Sequence, residues 1–201
     1  MTVQKQPQFK SRIDGVEFRI DNVRLSFPSL WEPRGFKNEP GAPLKYHATV
    51  LIPKTCTEVI QAIQDQVSKC AEANFGVKGA QQALAKMRAQ PNYHILKDGD
   101  LKADRDCYAG MVYLHASNSR PPKIFAEDKT ELPNDNGTIQ AGDYVNIIVR
   151  LFISKTYGIV CASFTGVQKS FTGDRFTASA ANADDFDDVS VSNGTDPEQY
   201  F

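Results

Sequence analysis

Apolar and polar positions in this chain alternate in short bursts, most of them with a period of two. Val16, Phe18 and Ile20 alternate with Glu17 and Arg19. The phase slips at Asp21-Asn22, and Val23, Leu25 and Phe27 resume it against Arg24 and Ser26. This predicts one strand with a bulge or bend at its middle, ended by Pro28. Ser29 to Pro43, with its prolines and glycines, reads as a loop. Tyr46 to Ile52 is a second β-prone run, closed by Pro53. Met111 to Ser117 alternates again, with Val112, Leu114 and Ala116 on one face and Met111, Tyr113 and His115 on the other. The longest alternation is Tyr144 to Ser154. Val145, Ile147, Val149, Leu151 and Ile153 form its apolar face, and Tyr144, Asn146, Ile148, Arg150 and Phe152 the other. Thr156-Tyr157-Gly158 turns the chain, and Ile159 to Val167 returns as a hairpin partner.

A helical period occupies the middle of the chain. Thr55-Cys56-Thr57-Glu58 has the spacing of a capping box. Val59, Ile60, Ile63, Val67, Cys70, Ala71 and Phe75 follow on one stripe, with Gly76 as the stop. Gly79 to Gln90 predicts a second, shorter helix ended by Pro91. The sum is a mainly β chain with one or two helices. A five-stranded Greek-key barrel, the OB-fold, is the economical architecture, and a generic α+β sandwich is the alternative. The chain divides into a flexible N-terminus (1–12), one OB-fold domain (13–175) and a disordered acidic C-terminal tail (176–201), whose Ala, Ser, Asn and Asp cannot bury enough surface to order themselves.

Charge changes the picture once it is split by region. The chain has 23 Lys and Arg against 24 Asp and Glu. Six of those acids, Asp184, Asp185, Asp187, Asp188, Asp196 and Glu198, follow Ala183, and no Lys or Arg does. All 23 bases and 18 acids therefore lie before the tail, which leaves a body of +5 beside a tail of −6. The tail ends in Tyr200-Phe201. Such a tail either competes with a polyanion for the body or only solubilises it.

Several chemistries are weak or absent. No apolar run reaches the length of a membrane span, and the N-terminus lacks a signal-peptide core. The four cysteines form no CxxC pair and read as reduced thiols of a cytosolic protein. His47, His94 and His115 are scattered, and no phosphate loop, metalloprotease motif or nucleophile elbow occurs. No cofactor and no metal is expected. The acids Asp98, Asp100, Asp104 and Asp106 faintly resemble a calcium loop, but Ala103 stands where the glycine belongs. They are also the only set on which a nuclease reading rests.

The strand faces opposite the core carry aromatic rings and cations together: Tyr144, Arg150 and Phe152 on one strand, Tyr113 on another, Arg19 and Arg24 on the first. The loops add Trp31, Lys37, Arg120 and Lys123. Single-stranded nucleic acid is held by bases stacking on rings while cations track the backbone, so these ten residues are the candidate DNA-binding set. Each ring taken alone is as well explained by packing, and Trp31 in particular reads as a plug at the edge of the core.

Three segments together carry a resemblance. They are Val23-Arg24-Leu25-Ser26-Phe27-Pro28-Ser29-Leu30-Trp31-Glu32-Pro33, Lys45-Tyr46-His47-Ala48-Thr49-Val50-Leu51-Ile52-Pro53-Lys54, and Gly142-Asp143-Tyr144-Val145-Asn146 running on to Gly166-Val167-Gln168. They resemble a family of bacteriophage single-stranded DNA-binding proteins with an OB-fold, over roughly residues 16 to 170. The resemblance implies a non-enzymatic protein that coats single-stranded DNA in phage replication, recombination and repair, in the cytoplasm of the infected host. It also implies phage or host replication proteins as partners of the tail, through Asp184, Asp185, Asp187, Asp188, Tyr200 and Phe201. A homodimer or a cooperative assembly on DNA is compatible with it. The rival reading is a protein-interaction module or DNA mimic that acts through the acidic tail.

Overall fold

The second strand organises the barrel. β2 (Glu17–Arg34) pairs antiparallel with β7 (Tyr144–Ile153) along its first half and with β3 (Lys45–Pro53) along its second. One strand serves two partners only by bending, and it bends in two places. The computed structural model describes residues 5–12, 17–35, 41, 43–102, 106–133 and 137–176.

At the first bend the register with β7 slips between Ile20 and Val23, and Asn22 has φ of 55°. Asn is one of the few L-residues that tolerate this region. The Asn22 N–H donates to Asn146 Oδ1 at 3.0 Å, its side chain donates to the Gln6 carbonyl at 3.2 Å, and it accepts from Ser170 Oγ at 2.7 Å. The groups freed by the bulge are thus satisfied. At the second bend the register with β3 slips between Ser26 and Ser29, around Phe27 at φ 44°. Pro28 was expected to end the strand. It sits instead inside this bulge, outside the paired register, where its missing N–H costs nothing. The strand runs on to pair Arg34 with Lys45, so Ser29 to Arg34 is strand rather than loop. A bulky residue at positive φ costs on the order of 1–3 kcal/mol. Phe27, which alternation places in the core, is 52% exposed.

The remaining strands are β1 (Gln8–Ser11), β4 (Leu96–Asp98), β5 (Met111–Asn118), β6 (Lys123–Phe125) and β8 (Val160–Phe171). The sheet runs β4-β5-β3-β2-β7-β8-β6. β5 and β8 meet across the gap, with Asn118 Nδ2 donating to the Phe164 carbonyl at 3.0 Å. The closed circuit β2-β3-β5-β8-β7 is the expected five-stranded Greek-key barrel, to which β1, β4 and β6 are additions. The N-terminus is not wholly loose: Gln8–Ser11 pair with Phe18 to Asp21, and the rings of Phe9 and Phe18 lie 5.3 Å apart. Backbone pairing against an edge of β2 makes this strand, and no apolar alternation announces it.

Inside the barrel, Phe18, Ile20, Val23 and Leu25 meet Val50, Ile52, Leu114, Ala116, Val145, Ile147, Val149 and Phe164. The helix α1 (Thr57–Ala89) packs on β1, β7 and β8. Its two expected halves are present, separated at Gly76 with φ 66° and ψ 173°. A straight helix would hold Ile63 and Met87 about 36 Å apart. They line one cleft here, so the break folds the second half back along the first. The capping box is not made. Cys56 flanks the helix with no side-chain cap, because a turn closed by Cys56 N–H on the Pro53 carbonyl at 2.9 Å sets the helix start at Thr57.

After β8 the chain crosses back over the start of β7. Arg175 Nη1 pairs at 2.8 Å with Asp143, whose side chain is fully buried. A Cβ on Gly142 would collide with the Asp174 carbonyl, and one on Gly173 with the Gly142 carbonyl. These contacts clamp residues 172–176 to the barrel. Replacing Arg175 by Ala leaves the buried carboxylate without its cation and should cost about 2 kcal/mol of stability, read as a lower denaturation midpoint. Arg175→Lys should recover part of that loss.

Candidate nucleic-acid interface

Residues directly paired in register share a face of the sheet. One row outside the barrel runs Phe171, Tyr144, Arg24, Leu51, Tyr113, Lys97 across β8, β7, β2, β3, β5 and β4. Three of the expected site residues, Tyr144, Arg24 and Tyr113, therefore lie in line. The chain itself covers one end of this row. Tyr144 stacks on Phe171 at 4.3 Å. Arg24 donates to the Asp174 carbonyl at 2.7 Å and lies over the ring of Phe176 at 4.4 Å.

The other end, on β3 and β5, is cationic. His115 bonds Thr49 Oγ1 through Nδ1 at 3.0 Å, and its ring lies 5.4 Å from that of His47. His47 Nε2 is 3.1 Å from the Arg34 carbonyl. Burial first, then the charges of His47, Lys97, Lys102 and Lys45, push the His115 pKa down to about 4. Lys45, Lys97 and Lys102 all act on this imidazole, which marks a positive patch.

Aromatic rings accompany that charge. Lys102 Nζ lies 4.5 Å from the Tyr108 ring centre and 4.3 Å from that of Tyr113. The two rings meet edge to face at 5.2 Å. Tyr108 is buried, with its hydroxyl 3.1 Å from Ser26 Oγ on the outer side of β2. Gly99 lets the loop lie this close, because a Cβ there would run into the Tyr108 and Met111 carbonyls.

The other expected residues are dispersed. Arg150 is exposed and Phe152 is 44% exposed. They share the outer face of β7, but Phe152 lies eight residues beyond Tyr144, about 27 Å along the strand. Arg19 pairs with the buried Asp21 at 2.6 Å, which neutralises it. Lys123 pairs with Glu131 at 3.1 Å, both exposed. Arg120 is exposed just after β5. Trp31 is half-buried against the core, as a plug would be, yet it also lines an open groove. Lys37 lies outside the described residues, as do Asp184, Asp185, Asp187, Asp188, Tyr200 and Phe201.

Sequence reasoning missed Lys45, Lys97, Lys102 and Tyr108. Lys45 was legible by phase, two residues before His47 and four before Thr49. Lys97 stands on a three-residue strand with no alternation to detect. Lys102 and Tyr108 come from a loop that folds onto the sheet.

The acids of the nuclease reading have structural work. Lys54 Nζ pairs with Asp98 and Asp100, each at 2.6 Å, and hydrogen bonds from Lys54 lower both carboxyl pKa values. Asp100 also accepts from the Gly110 N–H at 2.6 Å. Asp104 and the Asp106 side chain lie outside the described residues. Among the described residues no three potential metal ligands cluster, and no helix is long and apolar enough to cross a membrane. All four cysteines are free thiols, and burial raises the pKa values of Cys56, Cys70 and Cys161.

A closed five-stranded barrel with cations and rings on the outer face of its second and third strands is the architecture of an OB-type binding protein. The comparisons narrow the class. The family model described as "Enterobacter phage Enc34, ssDNA-binding protein" matches residues 16–196, and the chain belongs to that family. It is 35% identical over 178 residues to putative protein p50 of Acyrthosiphon pisum secondary endosymbiont phage 1, covering 88% of this chain and 95% of that one. Its fold is similar to that of the single-stranded DNA-binding protein of bacteriophage Enc34 solved in complex with ssDNA. The TM-score is 0.67 at 23% identity, over 88% of this chain and 100% of that one. A C-terminally truncated form of the same Enc34 protein gives a TM-score of 0.65 at 23% identity, over 85% and 98%.

Proposed function

We propose that this protein is a non-enzymatic, largely sequence-independent single-stranded DNA-binding protein of a phage, acting in the cytoplasm of the infected host. The observation that carries the reading is the cation–ring cluster on the outer face of β3–β5, where Lys102 lies over the rings of Tyr108 and Tyr113 and Lys97 pairs in register with Tyr113. Lysines in this position neutralise phosphates, and the half-buried ring of Tyr113 offers a stacking surface that every base can use, with Tyr108 packed beneath it. Family membership and the ssDNA complex of the Enc34 protein support it. Arg34 and Arg120, both exposed, extend the basic track. Arg150 and Phe152 form a separate patch.

A role in replication, recombination and repair follows from that activity. The acidic tail, with Tyr200-Phe201 at its end, recruits replication proteins and competes with DNA for the groove. Phe176, the last described residue, lies against Arg24 on the same outer face, and this supports the competition. A tethered tail acts at roughly millimolar effective concentration.

The test is a titration of labelled oligo-dT with full-length protein and with a truncation after Thr177. Single strands should bind in preference to duplex, and affinity should fall steeply between about 50 and 200 mM salt. Truncation should tighten binding. Equal affinity for duplex, or no binding at the lower salt, overturns the reading. Loss of all activity on truncation would favour a DNA mimic acting through the tail.

A further inference from the structure

The barrel closes where β5 meets β8, and the cationic face runs up to this seam. Every neighbouring pair from β5 through β3, β2 and β7 to β8 is antiparallel, so β5 and β8 run in the same direction where the circuit closes. Asn118 reaches the Phe164 carbonyl at 3.0 Å, and three residues back along each strand His115 comes level with Cys161. β4 takes up the same edge of β5, with Lys97 in register with Tyr113, so Lys97 stands in the seam. The charges agree with this placement. Burial raises the Cys161 thiol pKa, and Lys45 and Lys97 oppose it, the same two lysines that act on His115.

Beyond Cys161 the next side chain on the outer face is Phe152. The two pair in register across β8 and β7, which sets their side chains about 5 Å apart. Two positions along, Arg150 pairs with Ser163 on the same face and is exposed. Glu17, opposite Arg150 on β2, is already paired with Arg12 at 3.5 Å. Phe152 and Arg150 are remote from Tyr144 along β7, but the closed barrel returns them to the cationic face from the other side. The end of the hairpin that bears Phe152 is pinned. Lys86 of α1 donates to the Tyr157 carbonyl at 2.6 Å and lies 5.8 Å from the Tyr93 ring centre, and the rings of Tyr93 and Tyr157 are 6.1 Å apart. A platform held in this way binds with little ordering cost.

We propose that a single strand crosses the β5–β8 seam from Lys97, over Cys161, to a base-stacking platform on Phe152, with Arg150 at the next phosphate. The proposal rests on the single-strand reading above and gives the strand a direction. It runs around the barrel from β3 and β5 to β8 and β7, away from the Tyr144 and Arg24 end that the chain itself covers. From His115 to Phe152 the path is two to three strand spacings, about 10–15 Å, short enough for one bound strand to use both. The ligand class is any unpaired nucleotide, because stacking on a ring is indifferent to base identity.

The experiment titrates labelled oligo-dT with full-length wild type, Phe152→Ala, Phe152→Trp and Arg150→Gln at several salt concentrations. Phe152→Ala should bind about 5- to 100-fold more weakly, at an unchanged melting temperature and with the salt slope of wild type. Phe152→Trp should return affinity to within a few-fold of wild type, which a purely structural role would not allow. Arg150→Gln should lower the salt slope by about 0.7, and an unchanged slope overturns the phosphate contact. Wild-type affinity in Phe152→Ala, or a loss that Phe152→Trp does not restore, overturns the crossing and leaves single-strand binding standing. Should Phe152→Ala fail to fold, the labelling of Cys161 by N-ethylmaleimide in wild type decides, read by mass spectrometry of its peptide. Oligo-dT at about ten times its Kd should slow that labelling about tenfold. Labelling that oligo-dT leaves unchanged overturns the crossing. Wild type that fails to bind oligo-dT removes both.

Discussion

Replacing Lys45, Lys97 and Lys102 together by alanine should lower the affinity for oligo-dT by about two decades at 0.1 M salt. These lysines surround His115 on the outer face of β3–β5. Each lysine that neutralises a phosphate releases counterions, worth a slope of about 0.7 in log affinity against log salt for a single strand. Three such contacts give a slope change of about 2, or roughly a hundredfold at 0.1 M relative to 1 M salt. The measurement is the salt dependence of the titration for wild type and the triple variant. Parallel lines for the two proteins would place the phosphates elsewhere. Lys102 also lies over two rings, so the variant's melting curve belongs beside its binding curve.

Stability should fall as the solution is acidified, with His115 as a principal cause. Its folded pKa is about 4, against an ordinary value of 6.5. Between those values the unfolded chain holds the proton and the folded chain does not, so protons favour unfolding. The stability held at neutral pH is lost as pH falls from about 6.5 towards 4. The whole difference between those two values is worth about 3 kcal/mol. Denaturant titrations at pH 7.5 and at pH 4 should show the loss, and His115→Gln should shrink it. Bound DNA acts in the opposite sense, because phosphates near the imidazole favour its charged form. The acid loss should therefore be smaller in the complex. Equal pH dependence for wild type and His115→Gln would assign the effect to other groups.

The legibility of this chain followed the length of its alternating runs. β7 was readable down to the face of each residue, because its ten positions alternate without a break, whereas β8 was readable only as its hairpin partner, since bulges interrupt its phase. β1 and β4 were not, since pairing with a neighbour makes a short strand that no apolar pattern announces. β2 was half readable. Its bulge at Asp21-Asn22 showed as a phase slip, while Pro28 looked like an end and is an interior bend. The same bend reversed Phe27, whose phase with Val23 and Leu25 pointed inward. For the site, phase placed Tyr113 and His115 on the outer face correctly. Phase could not show that Tyr108 and Lys102 fold over them, because a loop's landing place is set by tertiary contacts such as that of Gly99. Nor could it show that Arg24 is occupied, since Asp174 and Phe176 lie some 150 positions away in the chain. The pairing of Arg19 with Asp21 was available all along, as residues two apart in a strand share a face.

The division of β2 between two partners also dictates the order in which this chain can assemble. Its second half meets β3 across a short connection, and β7 meets β8 across the turn at Thr156-Tyr157-Gly158. Each hairpin closes a small loop and can form early. The seam between Glu17 to Arg24 and Tyr144 to Arg150 joins residues more than a hundred positions apart. The entropy of closing so long a loop must be met before that seam returns any contact energy, so docking of the two hairpins limits the folding rate. During synthesis the edge of β2 that β7 will cover stays open until almost the whole barrel has left the ribosome. In that interval the edge is a template for pairing with another chain.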